Sequence, residues 1–210
     1  MKIFQDLQFN RATFERELTD LKQLLSQKSS LKEKQDILPF FRERPHLSSR
    51  IGLLASNFLK ADKIAFEYDL FGDFTCDLVV GDSQVGSYSF IEFEDAEENS
   101  IFSKKNSKFQ PDFSNRFEHG YSQIVDWFYK LNHVSSHDLN SRFHASTIQY
   151  QGILVIGRSH FLNNDLLKSR LRWRMNNVIV NSKHIQIFTF DELLELLTDR
   201  LQYYPVTVTI

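Results

Sequence analysis

The sequence is poor in several things at once. It has one cysteine, four prolines and seven glycines in 210 residues. A lone cysteine, Cys76, excludes an internal disulfide framework and fits a reducing compartment. It sits in an apolar run and reads as a small core residue. Scarce glycine and proline, beside twenty phenylalanines, exclude low complexity and point to a packed core. No stretch approaches the ~20 apolar residues that a membrane-spanning helix needs. The opening MKIFQDLQFNRATFEREL carries acids early and no apolar run of signal-peptide length, so a cytoplasmic setting is expected. Neither charge sign dominates: the net charge is −2, and the bulk balance does not call for a nucleic-acid partner.

The distribution of charge says more than its sum. From Asp62 to Glu98 there are eleven acids and one basic residue, Lys63. From Arg158 to Arg174 there are five basic residues and one acid, Asp165. Close carboxylates repel unless a cation or protons compensate them. Such a split allows a metal site beside an anion-binding surface, and two differently solvated faces explain the same counts.

Periodicity supplies the elements. Phe14, Leu18, Leu21 and Leu25 recur at helical spacing. A second helix is expected through LKEKQDILPFFRER, kinked or divided at Pro39 and ended by Pro45. The segments KIAFEYDLFG, FTCDLVVGD and GSYSFIEFE are rich in β-branched and aromatic residues and read as strands, the last two as an antiparallel hairpin. Residues 95 to 114 read as a loop. Arg116 to Leu131 is an amphipathic helix with Phe117, Tyr121, Ile124, Phe128 and Leu131 as its stripe. After a polar stretch to about Tyr150, GILVIG is a buried strand. LLKSRLRWRM is a helix, IQIFTF a strand, and Asp191 to Leu201 a last helix capped by Thr189 or Asp191. The order predicts an α/β fold, a mixed sheet flanked by helices. We divide it into an N-terminal helical segment, residues 1–29, and a main domain, residues 30–210.

Chemistry concentrates in the acidic strands. Glu92 and Glu94 stand two apart, so on a strand they share a face. Asp77, on the paired strand, reaches the same face if the register allows. Oxygen donors of this kind suit Mg2+ or Mn2+, which keep places for water and substrate phosphates. A site so built activates water and polarises a phosphoryl oxygen. An ordinary acidic outer face satisfies the same pattern. Arg116, His119, Gln123 and Asp126 share one face of the following helix, and Glu33 lies upstream as one more acid. Lys104, Lys105 and Lys108, just after the acidic strand, are candidates to hold a nucleic-acid backbone, with Arg116 and His119 beside them. Lys168, Arg170, Arg172 and Arg174 surround Trp173 on a helix that we read as solvated.

Taken in order, these pieces resemble the PD-(D/E)XK nuclease fold: helix with Glu33, strand with Asp77, strand with Glu92, helix with Gln123. More narrowly, EKQDILPFFRERPHL, FIEFEDAEENSIF with FEHGYSQIVDWFYKL, and the stretch from Gly152 to Leu197 resemble the Shedu family of prokaryotic antiphage nucleases, from about residue 30 onward. The resemblance implies a Mg2+-dependent endonuclease acting on DNA in defence against phage or plasmids. It implies Asp77, Glu92 and Glu94 as metal ligands, and Glu33 and Gln123 completing the catalytic set. It also implies a homo-oligomer. Shedu proteins commonly join a sensing region to the nuclease domain. With about thirty residues ahead of the matching segment, recognition is expected from the core, from self-association or from a separate sensor or partner protein. One departure stands out. Glu94 occupies the place of the usual lysine, which in this fold positions the attacking water. A glutamate acts there only as ligand or base. An inactive domain of the same fold, binding nucleic acid or a protein partner, is the alternative.

Overall fold

The computed structural model describes residues 3–54, 58–103 and 110–203. Strand β1 (Gln5–Asp6) precedes α1 (Arg11–Gln27). A single π-helical turn (Glu33–Ile37) runs into α2 (Leu38–Arg42), and α3 (Pro45–Gly52) follows. Three strands come next: β2 (Lys63–Leu70), β3 (Phe74–Asp82) and β4 (Ser87–Phe93). Then come α4 (Asn115–His133), α5 (Ser136–Phe143) and β5 (Gln149–Val155). The chain ends with α6 (Asp165–Asn177), the short hairpin β6 (Ile179–Val180) and β7 (Lys183–His184), β8 (Gln186–Phe188) and α7 (Phe190–Tyr203).

The sheet is mixed, as expected, with six strands in the order β1-β2-β3-β4-β5-β8. The first four pair antiparallel; β4, β5 and β8 run parallel. A hairpin joins β3 to β4. The parallel steps instead need helical crossovers, which α4 with α5, and then α6, supply. Both faces are covered. On one, Val79, Phe90, Leu154 and Ile187 pack against Phe117, Ile124 and Phe128 of α4 and Leu171 of α6. On the other, Leu78, Ile91, Phe93, Ile153 and Val155 pack against Phe14, Leu18, Leu21 and Leu25 of α1 and Phe190, Leu193 and Leu197 of α7. The α1 stripe read from spacing is thus buried in the same cluster as the central strands. Cys76 is fully buried.

Three elements differ from the sequence reading. Pro45 starts α3 rather than ending a helix; it sits at the first turn, where a missing N–H costs nothing. The polar stretch before β5 contains α5, capped by Ser135 and burying only Leu139 and Phe143. The β6–β7 hairpin turns on Asn181 and Ser182, both at positive φ. The cap of α7 is Thr189, whose hydroxyl accepts from the Glu192 N–H while Glu192 accepts from the Thr189 N–H, a reciprocal capping box.

Candidate functional site

The register of the central hairpin decides which acids meet. Leu78 pairs with Ile91 and Val79 with Phe90, so Asp77 falls opposite Glu92 one step on. Phe93, between the two glutamates, turns to the other face. It stacks on Phe41 with ring centroids 4.5 Å apart and lies beside Phe190. A slip of one residue would move that ring off the Phe41 stack and put the glutamates into the aromatic cluster in its place, so the stack fixes which face carries the acids. The Asp77 carboxylate accepts from the Phe93 N–H at 2.9 Å. Glu92 is 5% exposed and Glu94 1%.

Helix α4 closes over this end of β4. A Cβ at Gly120 would lie 2.8 Å from Glu94 Cγ and 2.9 Å from Leu154 Cδ1. At Gly152 of β5 a Cβ would lie 2.3 Å from Ile124 Cγ2. Two glycines, one per element, therefore let helix and sheet approach within a distance no side chain permits. The approach brings Arg116 and His119 onto Glu94: Arg116 donates to Glu94 Oε2 at 3.0 Å, and His119 Nδ1 lies 3.1 Å from Oε1. Arg116 also reaches Glu33 at 3.2 Å and Asp95 at 3.0 Å. Glu33 in turn is held by its own N–H, which donates to Asp95 at 2.7 Å.

The electrostatics follow from burial. Burial, above all, pushes the Asp77 carboxyl up to about 7; the Phe93 N–H opposes the shift, and Glu33 and Glu94 add to it. Glu92 is pushed well above its ordinary value by burial and then by Asp77, Glu94 and Glu33. Glu94 is also raised by burial, against the pull of His119 and Arg116. For Arg116, burial works against the charge, but Glu94, Asp95 and Glu33 outweigh it and hold the guanidinium above its usual value. Among the described residues, the buried side-chain atoms without a hydrogen-bond partner include two of expected site residues, Glu92 Oε2 and Gln123 Oε1. Leaving a buried acceptor unpaired costs about 1–3 kcal/mol, and such an atom is a place for an absent partner.

By donor type, these carboxylates suit a hard divalent cation. By position, no three of the described His, Cys, Asp and Glu side chains are gathered around a common point that could hold an ion. Asp77 and Glu92 face each other, whereas Glu94, expected as a third ligand, is engaged by Arg116 and His119. Asp95 and Gly120 were not singled out from sequence. The adjacent acids Glu94-Asp95 and a glycine inside a strong helical stripe were the available signals.

Lys104, Lys105 and Lys108 lie outside the described residues. Helix α6 is not simply solvated: Arg170 lies 4.8 Å over Phe113 and donates to the Pro111 carbonyl, and Arg174 covers Tyr121 at 4.5 Å and pairs with Glu118. Trp173, on the same helix, is 62% exposed. Among the described residues no helix is long and apolar enough to cross a membrane.

No curated protein matches the chain. The model of one family does, the one described as Shedu protein SduA, C-terminal, and it matches residues 30–194. That span runs from the strand-like contact at Leu31 through the acid-bearing hairpin, α4 and the parallel strands into α7. The chain belongs to the Shedu SduA C-terminal family.

Proposed function

We propose that the protein is a metal-dependent nuclease that hydrolyses phosphodiester bonds of DNA, in prokaryotic defence against phage or plasmids. Membership of the Shedu family supports the defence role. The observation that carries the chemistry is the buried facing pair Asp77 and Glu92, with Glu92 Oε2 unpaired and Glu33 and Glu94 close enough to repel both. Burying such a group of acids is costly unless a cation compensates them or, as the raised Asp77 and Glu92 carboxyls allow without one, protons do. Asp77 and Glu92 would hold Mg2+ or Mn2+, and either glutamate beside them would complete the donor set after a side-chain adjustment. A divalent ion bound there supplies an acidified water and neutralises charge on the phosphoryl oxygens.

The chain's own residues do the rest. Gln123, one turn beyond Gly120 on α4, offers an unpaired carbonyl oxygen to orient a water. Glu94, with its carboxyl pushed up and held from two sides, is placed to accept a proton. Lys104, Lys105 and Lys108 would bind the DNA backbone. Self-association and a separate sensing partner are further expectations from the family.

Purified protein given Mg2+ or Mn2+ should cut DNA, and Glu92→Ala should abolish both cutting and protection of cells. Absence of cutting by the wild type, with protection intact in Glu92→Ala, would overturn the proposal. A second reading, a non-cleaving domain that grips nucleic acid, is favoured by one observation: Glu94 stands where the fold usually has lysine. Retained salt-sensitive DNA binding with no Mg2+ or Mn2+ binding would select it.

A further inference from the structure

One guanidinium serves three carboxylates. Arg116 lies at 3.0 Å from Glu94, 3.0 Å from Asp95 and 3.2 Å from Glu33. Its partners come from two separate places: Glu33 from the π-helical turn, and the consecutive Glu94 and Asp95 just past the end of β4. The partners are mostly covered, with side chains 16%, 1% and 10% exposed, while Arg116 itself is 43% exposed. A depression opens beside it, lined by Asn99, Ser100, the acids Asp95, Glu97 and Glu98, and Lys32, which pairs with Glu97. So the cation sits at the mouth, and the acids lie behind it.

Arg116 is therefore the charge that compensates this group of acids in the absence of an ion. A guanidinium and a divalent cation that neutralise the same oxygens compete for them. Yet Glu92 Oε2 remains unpaired behind the guanidinium, which shows that Arg116 does not satisfy the whole group. A planar guanidinium with an exposed edge also binds phosphate oxygens in a fork. Phosphate at the mouth would draw Arg116 outward, and the carboxylates it leaves would be free to take the ion. Linkage then requires that phosphate and metal favour each other's binding.

We propose that Arg116 is a positioning residue that occupies the carboxylate group in place of the metal and yields it when a nucleic-acid phosphate engages the guanidinium. The inference rests on the metal-dependent reading above. It makes Arg116 an antagonist of metal binding, the reverse of what a purely structural arginine would be.

The test is calorimetric titration of the full chain with Mn2+ alone, comparing the wild type with Arg116→Met. Methionine keeps the stem's bulk and removes the charge. Loss of one competing ion pair should tighten Mn2+ binding up to about fivefold. Affinity that is unchanged or weaker in Arg116→Met, with the wild type binding Mn2+, overturns the inference and leaves the metal reading standing. No Mn2+ binding by either protein overturns the metal reading and the inference with it. If Arg116→Met does not fold, Arg116→Lys decides the same way. Lysine replaces the planar fork by a point charge and cannot reproduce its paired contacts to separate acids, so its Mn2+ affinity should also exceed that of the wild type, and equal or lower affinity counts against the inference. A short single-stranded oligonucleotide too small for cleavage should raise the wild-type Mn2+ affinity and leave that of Arg116→Met unchanged.

Discussion

Gly120 and Glu94 are in contact across the helix–sheet interface so closely that a Cβ on the glycine would lie 2.8 Å from Glu94 Cγ. The contact is what brings Arg116 and His119, four and one residues earlier on α4, onto the Glu94 carboxylate. Alanine in place of an ordinary helical glycine gains up to about 1 kcal/mol. Here overpacking opposes that gain, at a cost of about 1–3 kcal/mol. Gly120→Ala should therefore lose stability, by up to about 2 kcal/mol, and should lower any cleavage activity by displacing Glu94. Thermal unfolding checks the sign; a raised midpoint would show that the helix has room to move.

The acids at the end of β4 make a prediction about pH. In metal-free buffer the folded protein holds a proton on Asp77 up to about pH 7, while an ordinary aspartate releases it near 3.8. The folded state thus binds more protons between those values. Stability from this group is present below the lower value and is lost as pH rises through the upper one. Asp77→Asn keeps an acceptor for the Phe93 N–H and cannot ionise. The variant should match the wild type near pH 4 and exceed it near pH 8 by several degrees in Tm. The difference between the two proteins is the quantity to measure, because Asp36, Asp62 and Asp191 shift in the opposite direction. A variant less stable than the wild type at pH 8 would contradict the repulsion argument.

A buried cation ties the N-terminal helix to the rest. Arg158 pairs with Asp191 through two nitrogens and donates to the carbonyls of Leu25 and Lys28 at the end of α1. Asp191 is held below its ordinary value: burial would raise it, and Arg158 with the Ser159 N–H outweighs that. Removing one partner of a buried pair leaves the other uncompensated, at about 3–5 kcal/mol. Arg158→Ala should fall in that range by denaturant unfolding, and a loss under about 1 kcal/mol would mean that the end of α1 is fixed by packing alone.

Much of this was legible in the sequence, and the failures have physical causes. The α1 and α4 stripes, the β3–β4 hairpin and the buried run of β5 were readable because each buries a face whose period shows directly. Glu92 and Glu94 share a face for the same reason. Helix α5 was not readable, since SHDLNSRF buries only two side chains and its start depends on the Ser135 cap. Pro45 was misread because a proline ends one helix and begins another with equal ease, and only packing decides. The site was harder still. That Arg116 meets Glu33, 83 residues away, depends on α4 lying across the sheet at Gly120 and Gly152. No local pattern encodes that crossing. Glu94 looked free to bind a metal because its partners come from a different element.

The central claim is that Asp77 and Glu92 hold a divalent cation, and diffraction from crystals soaked in Mn2+, read at the manganese anomalous edge, tests it most directly. An anomalous peak is expected within bonding distance of the Asp77 and Glu92 carboxylates, with Arg116 withdrawn from at least one of Glu33 and Glu94. Crystals saturated with Mn2+ that show no peak between those carboxylates, and Arg116 still on all three acids, would contradict it.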